Sequence, residues 1–255
     1  MRITRAVVPS LFTVLNMFCG FLSIIHTAQN DFPTAAWFII LAGICDVLDG
    51  MMARVTRSFS DFGVEFDSLS DVISFGAAPS FLVYTIHLHT LEGIGVLISS
   101  FPLVFGAMRL ARFNVQLVGY DKDYFKGLPI PAAGIMISAY VLTYYTAANG
   151  FGGLEALLLI FLVLIVSLLM VSSIKYDNLP KITRRGIMQH PLRFTVGVVA
   201  LTAIVLTQGG ALFPCFVFYI ATGPIRYVVQ SIQHALHPPV SSADEKETEI
   251  TSVDV

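Results

Sequence analysis

Charge is scarce in this chain. Only 13% of its 255 residues are Asp, Glu, Lys or Arg, roughly half the ~25% of a soluble domain. Hydrophobic residues make up 55%, and the mean hydropathy is +0.76. That balance excludes an ordinary water-soluble globule. Basic stripes are also missing: the 15 Lys and Arg residues are scattered, which excludes an electrostatic footprint for nucleic acid. Cysteine is limited to Cys19, Cys45 and Cys215, with no CxxC spacing. A disulfide framework and a thiolate metal site are therefore excluded, and the three are read as small packing residues. The six histidines fall in turns and near helix or chain ends, without ligand spacing.

Long apolar runs are what the chain has instead. Eight can be drawn, at roughly 8–28, 33–54, 65–87, 91–112, 129–148, 153–174, 192–208 and 210–231. Each approaches the ~20 residues that carry a helix across the hydrocarbon core. Gln29-Asn30-Asp31, Asn149-Gly150, Gly152-Gly153 and Gln208-Gly209-Gly210 break them with turn chemistry. An even number of crossings with the N-terminus in the cytoplasm places all 15 basic residues on the inner side, as the positive-inside rule requires. The expectation is an all-α, polytopic membrane helical bundle of about eight transmembrane helices, with N- and C-termini cytoplasmic. Residues 1–234 form the membrane domain. Residues 235–255 form a tail that opens near Pro238-Pro239 and carries five acids and one lysine in its last fifteen positions, a composition expected to stay disordered.

Against that background one segment stands out. CDVLDGMMARVTRSFSDFGVEFDSLSD, residues 45–71, holds six of the chain's 17 acids. Asp46 and Asp49 are three apart near the inner end of the second run. Asp67 and Asp71 are four apart at the start of the third, so each pair shares a helix face. The short connection makes the two helices antiparallel neighbours, and four carboxylates converge at one depth. Hard oxygen ligands suit Mg²⁺ or Mn²⁺, and four carboxylates can hold two divalent cations about 4 Å apart, a centre that binds phosphate or pyrophosphate. Intramembrane carboxylates are rare without a role. A divalent-cation transporter is the rival reading, but it needs acidic residues continuing toward the outer side, and the sequence has none comparable. Gly50 and Ala53 leave room beside the helix for a bulky group, Arg54 can clamp a phosphate, and Gly63 precedes the third span where the backbone turns. Arg109, Arg112 and Lys126 lie on the same side of the membrane and are candidates for a substrate carboxylate or a lipid phosphate. Asn114 is a lesser polar candidate. Asn16, polar within the first run, is read as hydrogen-bonding across helices or else as facing the site.

The pattern Asp46-x2-Asp49-Gly50-x2-Ala53-Arg54-x8-Gly63-x3-Asp67-x3-Asp71 resembles the signature of the CDP-alcohol phosphatidyltransferase family at every defined position. EFDSLSDVISFGAAPS (65–80), RLARFN (109–114), FKGLPIPAA (125–133), NMFCGFLSI (16–24) and MVSSIKY (170–176) resemble the branch of that family that makes phosphatidylserine. The resemblance implies a six-helix core with two added spans, often dimeric, in the cytoplasmic (inner) membrane with its active site facing the cytoplasm. It implies Asp46, Asp49, Asp67 and Asp71 as metal ligands for two divalent cations, and Asp71 also as the catalytic base. It implies Gly50, Ala53, Arg54 and Gly63 around the CDP group. The expected partners are CDP-diacylglycerol, L-serine, membrane lipid and a second copy of the chain. An ether-lipid donor, as for an archaetidylserine synthase, or another acceptor alcohol is the alternative.

Overall fold

The computed structural model describes residues 7–56, 60–116, 125–148, 150–176, 191–207 and 209–236. They form α1 (Val7–Ala28), α2 (Phe32–Thr56), α3 (Asp61–Asp71), a π turn (Val72–Ala77), α4 (Ala78–Ile86), α5 (Glu92–Gln116), α6 (Ile130–Tyr144), α7 (Gly153–Val171), α8 (Pro191–Leu206) and α9 (Leu212–Leu236). A 3₁₀ turn, Leu88–Leu91, leads into α5. Two-residue strands β1 (Phe125–Lys126) and β2 (Lys175–Tyr176) pair antiparallel.

Six helical segments among the described residues are long and apolar enough to cross a membrane: Leu11–Ala28, Phe32–Val55, Phe62–Ile86, Leu88–Val115, Gly153–Val171 and Leu212–Val229. The protein is an integral membrane protein with an all-helical body. Leu11, Phe18, Phe21, Leu97, Phe161 and Phe218 are among the many large side chains left exposed on it, as lipid-facing positions should be. The α6 and α8 segments, expected as full spans, are shorter. α6 has 15 residues, or about 22 Å at the helical rise, which is less than the ~30 Å hydrocarbon core. Ten of those residues are buried, so α6 serves as the packed centre of the bundle. Of the expected tail, 235–255, the first two residues belong to α9, which ends at Leu236, and the rest lie outside the described residues.

The third run departs most from its expected form. Its helix begins at Asp61, because the Ser60 hydroxyl caps it by accepting from the Gly63 N–H at 3.1 Å. Gly63 therefore lies inside the first turn, not at a tight bend before it. Ten residues on, directly after Asp71, the helix loosens into the π turn, whose Ser74, Phe75 and Gly76 are buried. Such bulges often mark functional sites. Gly20 of α1 sits against this turn, and a Cβ there would lie 2.5 Å from Ser74 Oγ and 2.7 Å from Ser74 Cα. α1 runs along α2 and also packs on α3 and the π turn, whereas α2 and α3 barely approach each other. The expected α2–α3 neighbours are thus bridged by α1.

At the other end of α1, His26 Nδ1 lies 3.2 Å from Asp31 Oδ2. Hydrogen bonding from Thr34 holds the Asp31 carboxyl below the usual carboxylate range. The β1–β2 ribbon fastens the α5–α6 connection beneath α7: the Gly127 N–H donates to the Ile174 carbonyl at 2.8 Å and the Leu128 N–H to the Leu169 carbonyl at 3.0 Å. The buried Tyr176 follows, donating its hydroxyl to the Ile220 carbonyl of α9 at 3.3 Å. Gly127 has φ +85°, and a Cβ there would lie 2.1 Å from the Met170 carbonyl oxygen. Gly127→Ala is therefore expected to destabilise the protein by at least the ~1–2 kcal/mol of a left-handed alanine. A clearly lower melting temperature in detergent is the expected readout; an unchanged one would contradict the ribbon's role.

Candidate active site

Asp46 lies one turn from Asp49 on α2, and Asp67 one turn from Asp71 on α3. Single oxygens of Asp46, Asp67 and Asp71 all lie within 4.8 Å of one another. Asp71 is buried, while Asp46 and Asp67 are half-buried. The geometry thus unites three of the four expected carboxylates. Asp49, itself buried, stands beside them within electrostatic range of Asp67. Its Oδ2 accepts from the Thr13 hydroxyl at 3.0 Å.

α1 supplies the polar contacts. Asn16, wholly buried, donates from Nδ2 to Asp71 Oδ1 at 3.1 Å. Ser70 Oγ donates to the Thr13 carbonyl at 3.1 Å, and Ser74 Oγ to the Asn16 carbonyl at 2.8 Å. Thr13, Ser70 and Ser74 were not among the residues expected at the site. The signal that points to Thr13 is its spacing: it lies one helical turn before Asn16, the polar position in the same apolar run.

The donor set fits a divalent cation. Asp49 Oδ1 and Asp67 Oδ1 are buried, and neither has a hydrogen-bond partner among the described residues. A buried carboxylate oxygen without a proton donor is costly, and a cation satisfies it. The donors are all hard anionic oxygens, the type that Mg²⁺ and Mn²⁺ favour.

The remaining expected residues occupy the surroundings. Gly50 faces open space, with no atom within 4 Å of a hypothetical Cβ. Arg54, exposed at the end of α2, donates Nε to the Gly50 carbonyl at 2.8 Å. Ala53 is half-buried on the same stretch. Arg109 of α5 is buried within electrostatic range of Asp71. Arg112 donates Nη1 to the Val171 carbonyl at 3.1 Å, so it also closes the end of α7. Lys126 lies in β1, in register with Lys175. Asn114 donates to Ser68 Oγ at 3.1 Å and to Glu65 Oε2 at 3.3 Å, forming a polar seam between α5 and α3.

The sequence model for CDP-alcohol phosphatidyltransferase matches residues 6–172. This chain belongs to the CDP-alcohol phosphatidyltransferase family. The matched stretch runs from α1 through α7, so α8 and α9 lie outside it. Among relatives, the chain is similar to a CDP-diacylglycerol–serine O-phosphatidyltransferase of Helicobacter pylori, 42% identical over 174 residues, 68% of this chain and 73% of the relative. It is similar to a Bacillus subtilis protein of the same name, 34% identical over 174 residues, 68% and 92% of the two chains. It is also similar to the archaetidylserine synthase of Methanothermobacter thermautotrophicus, 40% identical over 172 residues, 67% and 69%.

In this family member, the three gathered carboxylates repel when ionised. At their spacing each charged pair costs on the order of 3 kcal/mol at an effective dielectric near 20. A bound cation reverses that. Chelation with EDTA is therefore expected to lower the melting temperature of the purified protein. Asp67→Asn, which removes one charge, should narrow the gap between the EDTA and Mn²⁺ samples at least by half. An equal gap in the variant would contradict a metal at this cluster.

Proposed function

We propose that this protein transfers the phosphatidyl group of CDP-diacylglycerol to the hydroxyl of L-serine, forming phosphatidylserine and releasing CMP. One observation carries the reading: at the signature positions, oxygens of Asp46, Asp67 and Asp71 come within 4.8 Å of one another in a chain of this family. The serine-using relatives support the acceptor.

The chemistry follows from the groups present. When bound, divalent cations neutralise charge on the pyrophosphate and ease the departure of CMP. Asp46, Asp49, Asp67 and Asp71 would hold two such ions, Mg²⁺ or Mn²⁺. The serine oxygen attacks the phosphorus that bears diacylglycerol, and the bond from that phosphorus to the bridging oxygen breaks. The hydroxyl proton passes to a carboxylate within hydrogen-bond reach, a role we assign to Asp71. Asn16 holds that carboxylate in place, since its amide already donates to Oδ1. Gly50, Ala53, Arg54 and Gly63 line the place of the CDP group, where Gly50 leaves open space. One of Arg109, Arg112 and Lys126 receives the serine carboxylate or a lipid phosphate. Arg109 is the best placed, being buried close to Asp71.

The same proposal includes eight crossings, six by the long segments and two by the shorter α6 and α8, both termini in the cytoplasm, a homodimer, and an active site opening to the cytoplasmic face of the inner membrane. The segregation of all 15 basic residues to one side under this topology supports the orientation. The similarity to an archaetidylserine synthase favours one second reading, the same transfer from an ether-linked donor.

Purified protein given Mn²⁺, CDP-diacylglycerol and single alcohols tests the proposal. CMP release is expected with L-serine and not with glycerol, inositol or choline; release with another alcohol but not serine would overturn the acceptor. Asp71→Asn should lower kcat by about 10²–10⁴, the range of a lost general base, with a much smaller change in CDP-lipid binding. Equal losses in both would contradict the base role.

A further inference from the structure

The signature residues all come from α2 and α3, yet these two helices barely meet. Their carboxylates nevertheless converge. Something else must set the spacing, and α1 makes the contacts that do so. Thr13 and Asn16, three residues apart, present two polar side chains on one face of an apolar helix. The Thr13 hydroxyl holds Asp49 of α2, and its carbonyl takes the Ser70 hydroxyl of α3. The Asn16 amide holds Asp71 of α3, and its carbonyl takes the Ser74 hydroxyl of the π turn. Thr13 thus ties the two helices together through one residue. One turn further along α1, Gly20 allows the close approach to Ser74 that these bonds require.

Both carboxylates held in this way retain an oxygen for other use. Asp49 gives Oδ2 to Thr13, while Oδ1 stays buried with no hydrogen-bond partner among the described residues. Asp71 gives Oδ1 to Asn16. Hydrogen bonds that pin one carboxylate oxygen fix the direction of the other, and such outer contacts tune metal affinity.

We propose that Thr13 and Asn16 are positioning residues for the metal centre, setting the orientation of Asp49 and Asp71 so that the cluster binds divalent cations as one unit. The inference rests on the metal-centre reading of the carboxylates and adds α1 to the machinery.

The test is Mn²⁺ binding to purified protein without lipid substrate, followed by the electron paramagnetic resonance signal of free Mn²⁺. Four variants serve: Thr13→Val and Asn16→Leu, similar in shape but unable to donate; Thr13→Ser, which keeps the hydroxyl; and Tyr140→Phe, which removes a hydrogen bond from α6 to the Glu155 carbonyl of α7 and touches neither α1 nor the carboxylate cluster. Thr13→Val and Asn16→Leu are each expected to bind Mn²⁺ about 10–100-fold more weakly, the usual loss when a ligand's hydrogen-bond partner is removed. Thr13→Ser and Tyr140→Phe are expected to keep wild-type affinity. Each residue has its own variant, so one that folds, as judged by its melting transition, decides the matter. If neither folds, Thr13→Ala and Asn16→Ala replace them. Wild-type affinity in the donor-lacking variants would overturn the inference, as would an equal loss in Tyr140→Phe, which would make the effect one of general helix packing. A wild-type protein that binds no Mn²⁺ would instead overturn the metal reading beneath it.

Discussion

The structure depends on holding like charges together. Asp46, Asp67 and Asp71 bring oxygens within 4.8 Å of one another in the low-dielectric setting of a membrane protein, where their repulsion is only weakly screened. Two opposing influences allow this. Cations supply the attraction when present. In the protein itself, α1 supplies the frame, because its side chains and carbonyls hydrogen-bond to elements on both sides of the cluster. The π turn after Asp71 and the glycine of α1 that lies against it belong to the same frame.

Position in the bilayer follows from the substrates. A nucleotide-activated lipid has a tail that belongs in hydrocarbon and a head that belongs in water. The carboxylates sit in facing halves of two spans: Asp46 and Asp49 in the C-terminal half of Phe32–Val55, Asp67 and Asp71 in the N-terminal half of Phe62–Ile86. Apolar side chains beyond them face outward, so acyl chains can lie along the protein while the head reaches the cluster. Arg54 and the seam of Asn114, Ser68 and Glu65 lie at this same end. The carboxylates and their polar partners thus share one end of the bundle, and the buried α6 packs its centre.

Much of this was legible from the sequence for a simple reason. Carboxylates spaced three and four apart must share a helix face, and hydropathy marks spans wherever about 20 apolar residues run together. The family signature then named the site. Other features resisted for equally physical reasons. Hydropathy could not place the start of α3 at Asp61, since Asp61, Gly63 and Glu65 read as a polar loop until the Ser60 cap is seen. It could not show that α6 is a short inner helix, because buried and lipid-facing apolar residues look alike. Thr13 gave only the signal of its one-turn spacing from Asn16: a hydroxyl in an apolar helix normally bonds to its own backbone, and only the fold reveals Asp49 opposite it. Asn16 was visible as an inter-helix hydrogen bond, while its partner was not. Neighbouring spans α2 and α3 were expected to touch, and chain connectivity alone did not reveal that α1 bridges them.

The most direct test of the central claim is an experimental structure of the protein with Mn²⁺ and a CDP-lipid, with the metal located by its anomalous scattering. The account predicts a peak within about 2–2.3 Å of carboxylate oxygens from Asp46, Asp67 and Asp71, with Thr13 and Asn16 still bonded to Asp49 and Asp71. Carboxylates turned apart toward water, with the metal bound elsewhere or absent, would contradict it.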